Sequence, residues 1–326
     1  MNVAIIGCGG VGMKRALSLS PHKLVIAIDT DLDRAKSVAN AVGCKCVSTD
    51  PTRVFGQRDL NVDIVIIATT NEFLARYTLD AVCHGKHVLV EKPAGRSAEE
   101  LVPIIEAANK NNVFVKVGFN HRFHPALLKA KEWVKSGALG ELMFVRGRYG
   151  HGGRLGYEKE WRADPAQSGG GELIDQGVHL IDLSRWFLGD LEVINGYAHT
   201  YFWDMPVDDN AFLMLKSKTD KVAWLHVSCT EWKNLFSFEV YGKKGKLIIG
   251  GLGGSYGLET LTYHQMSPLM GIPNTSVWKF PQKTDESWKK ELNYFIGCIK
   301  RHEKPEGDIT DAKKALDIVK TVYSDQ

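Results

Sequence analysis

Residues 3–12 read VAIIGCGGVG: a short apolar run leading into Gly7, Gly9 and Gly12 at GxGxxG spacing, with a helical pattern after it. Glycine at such positions permits a tight turn and lets backbone N–H groups approach a pyrophosphate at a helix N-terminus. The spacing alone fits an ordinary strand-to-helix turn equally well. Its context adds weight, because the next apolar run, KLVIAID, ends in Asp29, seventeen residues after Gly12. A carboxylate there can bind both hydroxyls of an adenosine ribose. Gly7, Gly9, Gly10, Val11, Gly12 and Asp29 are therefore expected to hold a dinucleotide. A carboxylate would repel the 2′-phosphate of NADP, and no arginine immediately follows it in DTDLDR, so NAD is expected in preference to NADP. Arg34 is expected as a helix-surface charge or a cover over the adenine.

The rest of the chain bounds the class of protein. With 326 residues, 44% hydrophobic and 24% charged, it has the composition of a globular protein with room for two cores. Forty-one Lys and Arg against 38 Asp and Glu leave a net charge of +3, too balanced to indicate a nucleic-acid surface. The expected partner is a small molecule, not a nucleic acid or a membrane. Six cysteines without a CxxC pair read as reduced thiols, and no metal site is expected. The first apolar run stops at glycine and lacks a basic flank, so no signal peptide is expected and a cytoplasmic location is the default.

Residues 1–120 alternate β-rich runs (NVAII, KLVIAID, CKCVS, VDIVIIAT, KHVLVE, VFVKVG) with helical patterns, as βαβ units do. Asp31 and Asn71 are expected N-caps. The fold expected is α/β: a doubly wound parallel (Rossmann) sheet over residues 1–120, then an α+β domain over residues 121–326. Apolar and polar residues alternate in ELMFVRGRY, NAFLMLKSK, KVAWLHVSC and LFSFEVYG, which predicts a large, mostly antiparallel sheet with one covered face. The last helix, about residues 310–324, is a candidate to pack back on the first domain.

Several stretches carry chemistry. VEKPAG places Glu91 and Lys92 at a strand end, where ligands of doubly wound sheets sit; a solvated ion pair is the plain alternative. Thr69, Thr70 and Asn71 occupy the turn after the fourth strand, suited to cofactor contacts or to helix capping. Asn120, His121 and Arg122 in GFNHRF face a nicotinamide, a substrate or a hinge. RYGHGGRLGYEKEWRADPAQS reads as a lid carrying Tyr149, Trp161 and Arg162, with cations able to meet phosphate or carboxylate. GGLGGSYG, residues 250–257, lies between strands and reads as a flexible hairpin loop. In GGGELIDQGVHLIDL, residues 169–183, Asp175, His179 and Asp182 fall on one stripe of an α-helix, flanked by apolar faces. A satisfied core network and an active-site wall both fit that stripe.

GCGGVG, EKPAG, GFNHRF and GGGELIDQGVHLIDL, in this order, resemble the Gfo/Idh/MocA oxidoreductases over nearly the whole chain. The resemblance implies an enzyme acting on a CH–OH group of a sugar, cyclitol or nucleotide sugar, with Lys92 touching substrate near the nicotinamide. It implies that Asp175 and His179 complete the site and that Trp161 and Arg162 lie near the nicotinamide; an imidazole titrates near neutrality, so His179 is the first choice for the proton carrier, with a desolvated Lys92 as the alternative relay. The substrate is expected to be a small sugar or cyclitol, possibly phosphate-bearing, and the assembly a homodimer or homotetramer. An NAD-retaining glycosidase of the same fold and a non-catalytic NAD- and sugar-sensing regulator are the alternatives.

Overall fold

A computed structural model describes residues 1–56, 60–281 and 283–325. The chain forms two compact units: Met1–Phe119 with Ala166–Gly169 and Trp288–Leu316, and Asn120–Pro165 with Gly170–Ser287 and Asp317–Gln326.

In the first unit the strands are β1 (Asn2–Ile6), β2 (Lys23–Ile28), β3 (Val47–Ser48), β4 (Ile64–Ile67), β5 (His87–Val90) and β6 (Val115–Val117). They form one parallel sheet in the order β3-β2-β1-β4-β5-β6, the doubly wound arrangement with its switch point between β1 and β4. Helices α1 (Gly10–Leu17), α2 (Leu32–Ala41), α3 (Arg53–Gly56), α4 (Asn71–Cys83) and α5 (Ala98–Asn111) connect them. Covered on both faces, β4 and β5 are nearly continuous Val, Ile and Leu, and β1 is buried beyond its first residue. Ile28, Ile6, Ile67, Val90 and Val117 are in register across the sheet. The residues that follow them, Asp29, Gly7, Ala68, Glu91 and Gly118, therefore emerge along one carboxyl edge. Register has aligned five strand ends that are far apart in sequence.

In the second unit come α6 (Pro125–Lys135), β7 (Leu142–Gly150), α8 (Val178–Leu188), and the strands β8 (Glu192–His199), β9 (Asn210–Lys216), β10 (Val222–Ser228), β11 (Leu235–Gly242), β12 (Gly245–Gly250), β13 (Glu259–Gln265) and β14 (Thr275–Phe280). Their sheet runs β14-β13-β12-β11-β7-β10-β9-β8 and is antiparallel except for β7 with β10. Strict alternation in β11 buries Phe236, Phe238 and Val240 on the helix-covered face. The other face exposes Phe212, Met214 and Trp224. A short helix α7 (Pro165–Ser168) joins the first unit's residues, as does most of α9 (Ser287–Arg301). The closing helix α10 (Ile309–Ser324) is divided between the two units at Leu316.

Three expectations are corrected. The CKCVS run keeps only Val47–Ser48 as strand, and β14 carries no prior signal among the candidate strands. Asp31 caps α2 through Asp33 and Arg34 N–H, but the N-cap of α4 is Thr70, because the Asn71 side chain instead donates to the Ser168 carbonyl at 2.8 Å. Residues Leu173–Gly177 form a π turn before α8, so the helix is not uniformly α. The glycines before it serve the protein's own packing: a Cβ on Gly171 would lie 1.9 Å from the Asp208 carbonyl oxygen, and one on Gly170 2.3 Å from the Tyr323 hydroxyl.

Candidate active site

The first unit supplies a dinucleotide cradle. Gly7 has φ +95°, and a Cβ there would sit 2.5 Å from the Ala68 backbone; one on Gly12 would sit 2.0 Å from the Gly7 carbonyl oxygen. Gly12 is demanded by the close approach of α1 to the end of β1, and Gly7 by the close approach of that turn to the backbone following β4. At Gly9 and Gly10 a Cβ would meet nothing within 4 Å, so no neighbouring protein atom explains the absence of a side chain there. Gly9 caps α1 without a side-chain acceptor, and no acid occupies the first turn. Such a helix N-terminus suits a pyrophosphate, with Val11 beside it. Asp29 holds the loop in shape: one carboxylate oxygen accepts Cys8 N–H at 2.7 Å and the other accepts Asp31 N–H at 2.9 Å. The residues therefore fit a dinucleotide. Arg34 is mostly exposed on α2, 3.4 Å from Asp31.

The next strand ends complete this edge. Thr69 and Thr70 are half-buried at the head of α4. At the end of β5, Ala94 N–H donates to the Glu91 carbonyl at 2.9 Å, closing a turn that leaves Lys92 half-buried, and the Lys92–Pro93 peptide is cis. Glu91, expected to touch cofactor, is buried against Arg15 at 2.6 Å. Arg15 also pairs with Glu291 at 2.8 Å, and Glu291 with Lys116 at 2.9 Å. Two cations thus answer two carboxylates in a dry interior, where an unpaired charge would be costly. Burial pushes Glu91 up and Arg15 works against it. The placement makes Glu91 a structural anchor for the turn that carries Lys92.

The second unit supplies a polar wall around the π turn. Asp175 is mostly buried and accepts from Arg162 Nε at 3.1 Å, with Arg162 stacked 4.5 Å from the Trp161 ring. One turn earlier, Glu172 is buried, accepts from the Tyr157 hydroxyl at 2.9 Å, and lies 3.3 Å from His151 Nε2. Burial pulls the His151 pKa down, but the Glu172 bond and charge outweigh it and the net direction is upward. His179, buried in α8, has its ring centre 3.7 Å from that of His121 and 6.1 Å from that of Tyr149. Burial drives the Tyr149 hydroxyl well above its ordinary value, so it is neutral and hydrogen-bonds to Tyr256.

The structure thus gathers Tyr149, Trp161, Arg162, Asp175, His121 and His179 of the expected site within one unit, and the glycine loop, Asp29, Thr69, Thr70, Asn71, Glu91 and Lys92 within the other. Arg122, expected to meet substrate or hinge, forks over Asp182, and Asn120 donates to the Ser287 hydroxyl at 2.9 Å. Three participants carried no recognised signal. Glu172 stood in a quoted motif without being singled out, Tyr157 sat in a loop rich in charges, and Tyr256 lies in the hairpin loop between β12 and β13. Among the described residues no group of three or more His, Cys, Asp or Glu is disposed to hold a metal, and no helix is long and apolar enough to cross a membrane.

Residues 1–119 match the family model described as oxidoreductase family, NAD-binding Rossmann fold, and residues 127–248 match the GFO/IDH/MocA C-terminal domain. Levoglucosan dehydrogenase of Pseudarthrobacter phenanthrenivorans is 25% identical over 295 residues, covering 76% of this chain and 73% of that protein. The NAD(+)-dependent scyllo-inositol 2-dehydrogenase of Bacillus subtilis is 27% identical over 331 residues, 97% of this chain and 91% of that one. D-glucoside 3-dehydrogenase of Escherichia coli is 28% identical over 250 residues, 70% of each. A levoglucosan dehydrogenase structure in complex with NADH and L-sorbose superimposes with a TM-score of 0.89 at 21% identity, covering 100% of this chain and 97% of that one. At that identity the likeness concerns the fold.

Proposed function

Because the chain belongs to the Gfo/Idh/MocA oxidoreductases, with an NAD-binding Rossmann domain, we propose that it moves a hydride between NAD and a ring CH–OH or ketone of a sugar or cyclitol. A nucleotide sugar is the third member of the same substrate class. The observation that carries this reading is the π-turn wall, where Asp175, held by Arg162, and His179 combine a carboxylate with an imidazole. NAD, when bound, supplies the hydride acceptor for oxidation. The work left to the protein is to orient one hydroxyl and to take its proton as the C–H bond breaks.

His179 takes that proton in oxidation and returns it in reduction, since imidazole titrates closest to neutrality. Lys92 donates a hydrogen bond to the reacting oxygen and stabilises developing negative charge. Asp175 accepts from a neighbouring hydroxyl and orients the ring, with Arg162 fixing its carboxylate. Lys92, Asp175 and His179 are thereby assigned to one reaction. Trp161 and Tyr149 shape the apolar rim. The exposed sheet face bearing Phe212, Met214 and Trp224 is assigned to self-association as a homodimer or homotetramer, which sedimentation would measure.

The test is NADH absorbance on a panel of free sugars, inositols, glycosides and nucleotide sugars. Net NADH with a cyclic polyol supports the reading. Glycoside cleavage without NADH accumulation would replace it with the NAD-retaining hydrolase, and NAD binding without turnover on any class would replace it with a regulator. Lys92→Ala and His179→Ala are expected to lower kcat by at least about a hundredfold while NAD still binds.

A further inference from the structure

We propose that His121 and His179 form one titrating pair that binds a single proton between them, with His121 the positioning residue that sets the protonation of His179. The inference rests on the reading of His179 as proton carrier. Its ground is a contact no motif announces: the two ring centres are 3.7 Å apart at an interplanar angle of 55°, and both residues are 4% exposed.

His121 belongs to the 3-10 turn Asn120–Phe123, and His179 to the first turn of α8, so both rings are held by short, well-packed elements. Tyr149 stands edge-on to His121 at 5.1 Å, and Phe236 stacks at 5.8 Å. His124, at 5.8 Å, is itself bonded to Glu259 at 3.1 Å and lies 3.9 Å from Asp285. The charged groups on the neighbouring turns are Asp175, paired with Arg162, and Asp182, paired with Arg122. Each of these nearby carboxylates already answers a base. Tyr149 and Tyr256 are neutral hydroxyls held above their ordinary values by burial.

Two imidazolium charges at this separation in a poorly screened interior repel strongly, so the second proton binds roughly a hundredfold or more weakly than the first. Near neutrality the pair therefore carries one proton or none. When the substrate hydroxyl releases its proton to His179, His121 must be neutral. A proton already on His121 makes His179 a weaker base. The acid limb of the oxidation is set by the pair, not by His179 alone.

The experiment is a pH titration of 15N-histidine-labelled protein by long-range 15N–1H correlation, comparing wild type with His121→Phe and using His179→Gln for assignment. His121→Phe keeps an aromatic ring in the box; near-UV circular dichroism and NADH binding check the fold, and His121→Asn replaces it if the larger ring disrupts packing. The expected result is that both rings of the wild type follow the same two macroscopic steps, whereas His179 in the variant follows one. The acid limb of log kcat/KM changes shape accordingly while the KM for NAD does not move. Independent one-step titrations of the two rings in the wild type, with an unchanged His179 curve in the variant, would overturn the pair. The NMR coupling needs no turnover, so it stands or falls separately from the role given to His179.

Discussion

Arg122 forks over Asp182 in the interior of the second unit, Nε at 2.8 Å from one carboxylate oxygen and Nη2 at 2.6 Å from the other, with the two side chains 6% and 1% exposed. A buried pair of this geometry is costly to break from one side, because the surviving charge is left in a poor solvent. Asp182→Asn or Arg122→Met is expected to destabilise folding by about 3–5 kcal/mol. The double replacement is expected to cost less than either single one. Urea unfolding of all four proteins measures the coupling, and strict additivity would mean that the fork contributes nothing specific.

Asp29 shapes the glycine loop through Cys8 N–H, and under the proposed function it also reads the ribose. Asp29→Ala removes the acceptor for both. NAD affinity is expected to fall about ten- to a hundredfold, the value of one or two hydrogen bonds to a charged group, while NADP affinity falls less or rises. Calorimetric titration with each cofactor distinguishes ribose reading from loop shaping, since loss of loop shape alone lowers both equally.

Gly118 follows β6 beside the buried charges. A Cβ there would lie 2.7 Å from Arg15 Nη2 and 2.8 Å from Glu91 Oε2. Gly118→Ala therefore forces the Arg15–Glu91 pair apart and is expected to cost about 1–3 kcal/mol, with kcat falling because the Lys92 turn loses its anchor. A variant as stable and active as wild type would show that the pair yields without consequence.

His151 gives the stability a pH dependence. Its pKa is raised in the folded protein above the ordinary 6.5 by Glu172, against the opposing pull of burial. A raised folded value means that the contribution is complete below pH 6.5 and is lost as pH rises through the folded value. The stability difference between wild type and His151→Gln is expected to be larger at about pH 6 than at about pH 9. Urea titrations at both pH values measure it; a difference that grew with pH would reverse the assignment.

Much of this molecule is local and could be read from residue order. The Val- and Ile-rich runs buried on both faces, the glycine turn and the Asp31 cap depend on neighbours in sequence, as does the alternation that commits one face of β11 to the core. The chain order of motifs carried the family resemblance for the same reason. The Asp175 and His179 stripe was visible because helical spacing places residues four apart on one side, even though the turn beneath Asp175 is π and not α.

What only tertiary structure decided is how charge is partnered, because partners 15 to 276 residues apart in sequence are set by register and packing. Glu91 looked like a ligand at a strand end, yet the sheet edge turns it onto Arg15 and, through Arg15, toward Glu291. Arg122 was open to substrate or hinge from its motif, and the partner that α8 presents to it, Asp182, carried no sequence signal of that pairing. Gly170 and Gly171 are set by distant partners as well, since Tyr323 and Asp208 fill the space a Cβ would need. Glu172, Tyr157 and Tyr256 join the polar wall for the same reason: a buried carboxylate or hydroxyl must find a partner, and only the folded chain determines which one is within reach.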